Sequence, residues 1–300
     1  MIGRRLLLAG LLCLAAACSD ERADDVGTPP DAAPAQGTTS PSSEDPSPST
    51  PGATRSPAPE PSSTIAPSDP STTTATERGD DVAAATFDDD GLLGSMSRAF
   101  LDGAVPGVVI EVDTTSGTAL TSRARQALAD ALATHGRKQT VSSSGASTVP
   151  SADVYTLADL RRLSATHRAT ASSADRLSVY VLVLEGRFEI ESVTGVAFEA
   201  SSFALFPDTI GDGLLPAMNY SHFEESVAVH ELGHLFGLVD LTGQGAFHED
   251  PEHPGHSASR QSVMYWAVED VSIGNLFRGG PPTDFDAEDR RELDLIRSGG

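Results

Sequence analysis

Cysteine is nearly absent from this chain of 300 residues. The only two cysteines, Cys13 and Cys18, both lie within the first 18 residues. Residues 83–300 therefore have no disulfide and no thiolate ligand for a metal ion. They also have no thiol that could block a metal site from within the chain. Any metal site in this part must use histidine and carboxylate ligands.

Basic residues are also few. The chain has 20 Lys and Arg against 43 Asp and Glu, which gives a formal net charge of −23. We find no basic patch that could neutralise phosphates, and this excludes nucleic acid as an expected partner. The acidity itself indicates solubility in a saline exterior and does not predict a basic substrate.

The apolar run from Leu6 to Ala17, which follows Arg4 and Arg5, is too short to span a bilayer as a mature helix. It predicts a secretory signal over residues 1–18. The run ends in Leu-Ala-Ala-Ala before Cys18, and this stretch resembles a bacterial lipobox. The resemblance implies that Cys18 is lipidated and anchors the protein outside the cytoplasm, on the cell membrane. The alternative is an ordinary signal that is cleaved to release a secreted protein.

Residues 19–82 contain 12 of the 20 prolines and none of the aromatic residues. Such a segment cannot bury enough apolar surface to offset its ordering entropy, so we predict a disordered stalk. A pro-segment is the alternative interpretation. Residues 83–300 then form one folding unit, which is long enough for a sizeable core.

The stretch that dominates this unit is His-Glu-Leu-Gly-His at residues 230–234. On a helix, His230 and His234 are four positions apart, so both imidazoles leave from one face and can share a zinc ion. Glu231 lies beside the first ligand, where its carboxylate can reach a zinc-activated water. The flanking residues are apolar nearly all round, which indicates a buried helix rather than a surface helix with two histidines.

Three residues after His234, Gly237 can take a positive φ and end the helix. Asp240 then follows as the expected third zinc ligand, which leaves one open position, as in a catalytic site. The loop after it holds His248, His253 and His256. Either His256 or His248 is the alternative third ligand, with Asp240 then supporting a ligand; otherwise the loop is solvated. A calcium site formed by Glu249, Asp250 and Glu252 is a further, weaker hypothesis.

The pattern His-Glu-x-x-His-x-x-Gly-x-x-Asp resembles the metzincin clan of zinc metalloproteases, and its final Asp is similar to the snapalysin-like branch. Ser-Val-Met-Tyr at residues 262–265 resembles the methionine turn of that clan in its matrixin form, with Met264 beneath the metal and Tyr265 after it. The resemblance implies an α/β (α+β) zincin fold: a twisted mixed sheet with packed helices, a central active-site helix, the methionine turn and a C-terminal helix. It also implies that Trp266 walls the substrate pocket.

Local patterns predict the surrounding elements. We expect strands at 108–112, 139–142 and 177–185, and one or two more within 193–205. Helices are expected at 121–135, 156–165 and 287–296, the last capped by Asp286. Thr156 with Asp159, and Ser221 with Glu224, have the spacing of capping boxes.

These observations predict a zinc-dependent endopeptidase in which Glu231 activates the water. We expect a peptide substrate to lie antiparallel to an edge strand within 193–205, and the protein to be a monomer. Two other classes remain open: a zinc-dependent cell-wall amidase, and a non-catalytic metal-binding module at the cell surface.

Overall fold

The computed structural model describes residues 86–145, 147–214, 218–239, 247–269 and 280–299. The predicted signal, Cys18, the stalk and Asp240 lie outside these ranges. The described helices and strands follow one another as α1 (Ser97–Leu101), β1 (Gly107–Thr114), α2 (Ser122–Thr134), β2 (Thr140–Ser144), β3 (Val154–Tyr155), α3 (Leu157–His167), β4 (Arg176–Val183), β5 (Arg187–Phe188), β6 (Gly195–Glu199), β7 (Ser202–Leu205), α4 (Pro207–Asp212), α5 (Tyr220–Leu235), β8 (Glu249–Asp250), β9 (His253–Ser257), a 3-10 helix (Trp266–Val268) and α6 (Ala287–Ser298).

The main sheet has five strands in the order β2-β1-β4-β7-β6. Neighbouring strands are parallel except at the end of the sheet, where β6 runs antiparallel to β7. The expected α/β class and mixed sheet are therefore confirmed, and 193–205 forms two strands. As the last strand in this order, β6 is an edge strand, as expected for that region.

The central strand β4 explains why the core lies on both faces of the sheet. All its residues after Arg176 are buried, since a strand covered on both faces is apolar throughout. Val179 and Val181 pack into the core cluster that includes α2 and α5. Tyr180 and Leu182 pack on the opposite face, in the cluster that includes α3. The helix α5 is thereby held against one face of the sheet.

Two predicted helix caps are confirmed: Thr156 and Asp286 each form a complete capping box with the third helical residue. At the start of α2, the Thr121 side chain also accepts from the backbone N–H of Ala124. These caps satisfy N–H groups that have no partner within a helix. The strand and helix boundaries lie within a few residues of those expected.

The predicted capping box of Ser221 and Glu224 is wrong. Helix α5 begins one residue before Ser221, with Asn219 at its N-cap and no side-chain cap bond. The Glu224 carboxylate instead accepts from the Thr121 N–H at 2.8 Å and from the Tyr220 hydroxyl at 3.2 Å. Glu224 is fully buried, so its partner at the start of α2 outcompetes a local cap. This bond ties the two helices together at their N-terminal ends.

Within the described residues, no helix has both the length and the apolar character required to cross a membrane.

Candidate metal centre

Helix α5 carries the metal-binding motif into the interior. His230 and Glu231 have no exposed surface, and His234 retains 6%. The helix is buried on nearly every side because its flanking residues are apolar all round rather than on one stripe. This confirms that the motif lies on a buried helix. Three ionisable side chains in such a place need partners, since burying an unpaired charge is costly.

The helix ends as its glycine predicts. Gly237 has a φ of +81°, and a Cβ there would lie 2.9 Å from the Cβ of Ser97. The Leu238 N–H returns to the Gly233 carbonyl at 3.1 Å and closes the turn. The structure therefore turns the chain at the expected residue. Asp240 lies outside the described residues, so its role as a ligand remains a prediction.

His256 reaches the motif from a separate element. The loop of three histidines forms the hairpin β8–β9, and His256 lies on β9. Its ring stacks on that of His230 with 5.3 Å between centroids, and lies 5.6 Å from that of His234. One of the two alternative third ligands is thus brought to the motif.

A fourth group, which the sequence analysis missed, completes the arrangement. The Glu269 carboxylate lies 3.1 Å from His230 Nε2 and 3.5 Å from His234 Nε2 through Oε1, and 3.1 Å from His256 Nε2 through Oε2. We call His230, His234, His256 and Glu269 the His–Glu cluster. In the sequence, Glu269 is distinguished only as an acidic residue that follows the apolar residues 266–268.

The dimensions of the His–Glu cluster fit a zinc ion. With ligands at about 2.0–2.1 Å in a tetrahedron, neighbouring ligand atoms are about 3.3 Å apart. In the structure, His230 Nε2 and His234 Nε2 are 3.1 Å apart, and the contacts to Glu269 span 3.1–3.5 Å. One ligand atom from each of the four side chains lies within 4.8 Å of the others. The four residues could therefore hold one metal ion.

Hydrogen bonds prepare His230 as a ligand. Its Nδ1 donates to the Val263 carbonyl at 2.7 Å, which leaves the lone pair on Nε2 directed into the cluster. The next residue, Met264, is fully buried beneath the helix, where a Cβ on Gly233 would overlap its sulfur atom. The Met264 carbonyl accepts from the Ser257 N–H at 2.8 Å, next to His256 on β9. Residues 263–264 thus support two of the histidines, and the buried Tyr265 follows them.

Glu231 lies beside the cluster, against the edge strand. A Cβ on Gly195, the first residue of β6, would lie 2.5 Å from Glu231 Oε1. The Glu231 carboxylate interacts with the Glu269 side chain and with the backbone of Ala197 on β6. Burial, and then the neighbouring charge of Glu269, raise the pKa of Glu231 well above its ordinary value. A carboxyl group in this state is suited to holding and releasing a proton.

Burial and charge set the other ionisation states of the cluster. Burial lowers the pKa of His234 to about 4, so this imidazole is neutral, as a metal ligand must be. Burial works to raise the pKa of Glu269, but the nearby histidines His256 and His230 outweigh it and hold that pKa well below its ordinary value. For His256 burial works to lower the pKa, but the Glu269 carboxylate raises it overall. Glu269 is thus the ionised acid of the site.

His248 is placed elsewhere. Its Nε2 lies 2.9 Å from Glu292 of α6, and its Nδ1 lies 3.2 Å from the Ser257 hydroxyl. It does not belong to the His–Glu cluster. The same Glu292 oxygen accepts from the Val239 N–H at 3.0 Å. Glu292 therefore fixes both the start of the hairpin and the residue just before Asp240.

The carboxylates Glu249 and Asp250, which we considered as calcium ligands, form hydrogen bonds within the β8–β9 hairpin. Glu249 accepts from the Gly255 N–H at 2.9 Å, and Asp250 accepts from the Glu252 N–H and pairs with His253, each at 2.9 Å. Within the described residues, the only group found with the geometry to hold a metal is the His–Glu cluster. The structure thus gives no support to a calcium site here.

The ring of Trp266 lies parallel to that of His253, with 4.0 Å between centroids and 6° between planes. His253 begins β9, which carries His256, and Trp266 begins the 3-10 helix that precedes Glu269. The stack therefore joins the two elements that bring His256 and Glu269 together. Whether Trp266 also lines a substrate pocket remains a prediction.

No protein-family model matches the chain, and the search of curated proteins finds no match. Among solved structures, archaemetzincin from Methanopyrus kandleri is similar, with a TM-score of 0.42 and 16% identity over 63% of this chain and 95% of that chain. Metalloproteinase-II from Bacteroides fragilis is similar with a TM-score of 0.40 and 18% identity, over 65% of this chain and 54% of that chain. These likenesses are distant.

Proposed function

We propose that this protein is a zinc-dependent endopeptidase. One observation carries the proposal: three imidazoles and a carboxylate lie at the spacing of a zinc tetrahedron, beside a second, fully buried carboxylate, Glu231. A ligand set that only stabilised the fold would not need Glu231 there. A metal site flanked by a buried carboxyl group that is not itself one of the four clustered side chains favours hydrolysis.

Zinc in such a site supplies Lewis acidity toward a carbonyl oxygen and a water activated as a nucleophile. Glu231 acts as the general base, taking the proton of the attacking water and delivering it to the leaving amine. His230 keeps one orientation because the Val263 carbonyl holds its Nδ1–H.

The substrate backbone would bind along β6. This strand is the edge of the main sheet, and its first residue, Gly195, touches Glu231. An extended peptide that adds to a sheet edge is held by main-chain hydrogen bonds, independent of its sequence. A scissile bond beside Gly195 would then lie next to both the His–Glu cluster and the general base.

We favour His256 as the third ligand. Its Nε2 lies close to the same Glu269 carboxylate as the Nε2 atoms of His230 and His234. Asp240 remains the alternative on the sequence pattern alone. We further propose, from the sequence, that the enzyme acts outside the cytoplasm as a monomer, held to the membrane by a lipid on Cys18.

The test is hydrolysis by zinc-loaded protein of three substrates: casein, a mixed peptide library and purified cell wall. The proposal expects cleavage of casein and peptides that stops with a chelator and returns when zinc is added. Release of cell-wall fragments without peptide cleavage would indicate an amidase instead. Zinc binding without hydrolysis of any of the three would indicate a non-catalytic module.

A further inference from the structure

We infer that Glu269 is a fourth protein ligand of the metal and that it holds the folded site closed. The inference rests on the proposed function. Oε1 of Glu269 lies 3.1 Å from His230 Nε2 and 3.5 Å from His234 Nε2, which is the ligand-to-ligand spacing of a tetrahedral zinc site. The four side chains therefore fill four positions rather than three. A zinc site with four protein ligands has no position for water or substrate.

The backbone of Glu269 is fixed independently of its carboxylate. Its carbonyl accepts from the Thr194 N–H and from the Thr194 hydroxyl, both at 3.1 Å. Thr194 lies directly before Gly195 and the edge strand β6. Residue 269 is thus bonded to the chain at the start of the edge where we place the substrate. The hydrogen bond to the Glu269 carbonyl also occupies the Thr194 N–H, a backbone donor at the start of β6.

The closure can be reversed by the side chain alone. The Glu269 side chain retains 21% exposure, so rotation about its own bonds can carry the carboxylate to solvent while the backbone stays on Thr194. Rotation would leave three histidine ligands and one open position, beside Glu231. Glu269 therefore reversibly blocks the open coordination position of the metal site.

The test uses cobalt as the metal, since its visible spectrum reports the number and kind of ligands, and acetohydroxamate as a small probe that binds only an open position. In the wild-type protein, the spectrum is expected to stay unchanged at acetohydroxamate concentrations that shift it in Glu269→Ala and Glu269→Gln. Glu191→Gln is the matched control, since Glu191 is exposed and three residues before Thr194. This control should behave as the wild type.

Peptide cleavage is measured on the same zinc-loaded proteins, with the rate expected to rise at least several-fold on removal of the Glu269 carboxylate. An equal response to acetohydroxamate in the wild type and both Glu269 variants overturns the inference, whatever the rates. If the spectra differ as expected but no variant cleaves a peptide, Glu269 is a ligand that closes the site and the proposed function is wrong. If Glu269→Ala does not bind cobalt at all, the inference is tested on Glu269→Gln, which keeps the shape of the side chain.

Discussion

His230 Nδ1 donates to the carbonyl of Val263 at 2.7 Å, and this bond joins the metal-binding helix to the segment beneath it. Met264 follows Val263 and packs against Gly233, which directly precedes His234, the second histidine of the motif. The segment therefore orients one ligand and supports the turn of helix that carries both.

The first prediction concerns the third ligand. Replacing His256 by Ala should remove tightly bound zinc, because the structure places its imidazole in the His–Glu cluster. His248→Ala should retain zinc, since His248 pairs with Glu292. Zinc per protein after dialysis measures both, with His167→Ala on α3 as the control. If Asp240→Ala strips the metal while His256→Ala keeps it, the third ligand is Asp240.

The second prediction concerns the packing at Gly233. Alanine normally favours a helix over glycine, but a Cβ here would overlap the Met264 sulfur and lie 3.0 Å from Phe285. Gly233→Ala should lower the free energy of unfolding by about 1–3 kcal/mol, the usual cost of overpacking a core. Gly211→Ala in α4 is the matched control, since a Cβ there meets nothing within 4 Å. Denaturant titration of both variants measures the difference, and equal stability would contradict the packing.

The third prediction concerns Gly195 and the general base. Gly195→Ala would press on Glu231 Oε1 and on Val227, at 2.5 and 2.6 Å. We expect kcat to fall by at least tenfold, because small misplacement of a catalytic group is costly. Zinc content should be unchanged, since the three atoms nearest to the added Cβ belong to Glu231 and Val227, which are not part of the His–Glu cluster. Loss of zinc in this variant, or an unchanged kcat, would show that Gly195 does not position Glu231.

The fourth prediction concerns pH and His248. Burial works to lower the pKa of His248, but the hydrogen bond and charge of Glu292, with the charges of Asp289 and Glu288, raise it above 6.5 overall. A raised pKa in the folded state stabilises the protein below the ordinary value, and this contribution is lost as pH rises through the raised pKa. Unfolding measured from about pH 6 to 9 should therefore show a loss of stability that His248→Asn lacks. The same slope in both proteins would contradict the assignment.

Much of the site could be predicted from the sequence because its chemistry is local. The spacing of His230 and His234, the adjacent Glu231 and the positive φ at Gly237 all follow from one helix and its end. The caps at Thr156 and Asp286 were predictable for the same reason. The Ser221 cap was not, because a partner on α2 determines where Glu224 points.

Tertiary structure decided the rest. The sequence offered His256 and His248 equally as alternative third ligands. The register of the hairpin directs His256 toward the motif and His248 toward α6. Glu269 carries no spacing signal, because its place depends on the contact of its carbonyl with Thr194. The two-residue strands β3 and β5 are too short to leave a periodic pattern.

The most direct measurement of the central claim compares Glu231→Gln with the parent protein, in both the wild type and the Glu269→Gln background. Zinc per protein and the rate of peptide cleavage are measured on the same samples. The account predicts unchanged zinc and a rate lower by about 10²–10⁴-fold, the usual contribution of a general base. Turnover by Glu231→Gln at the parent's rate, with zinc retained, would contradict it.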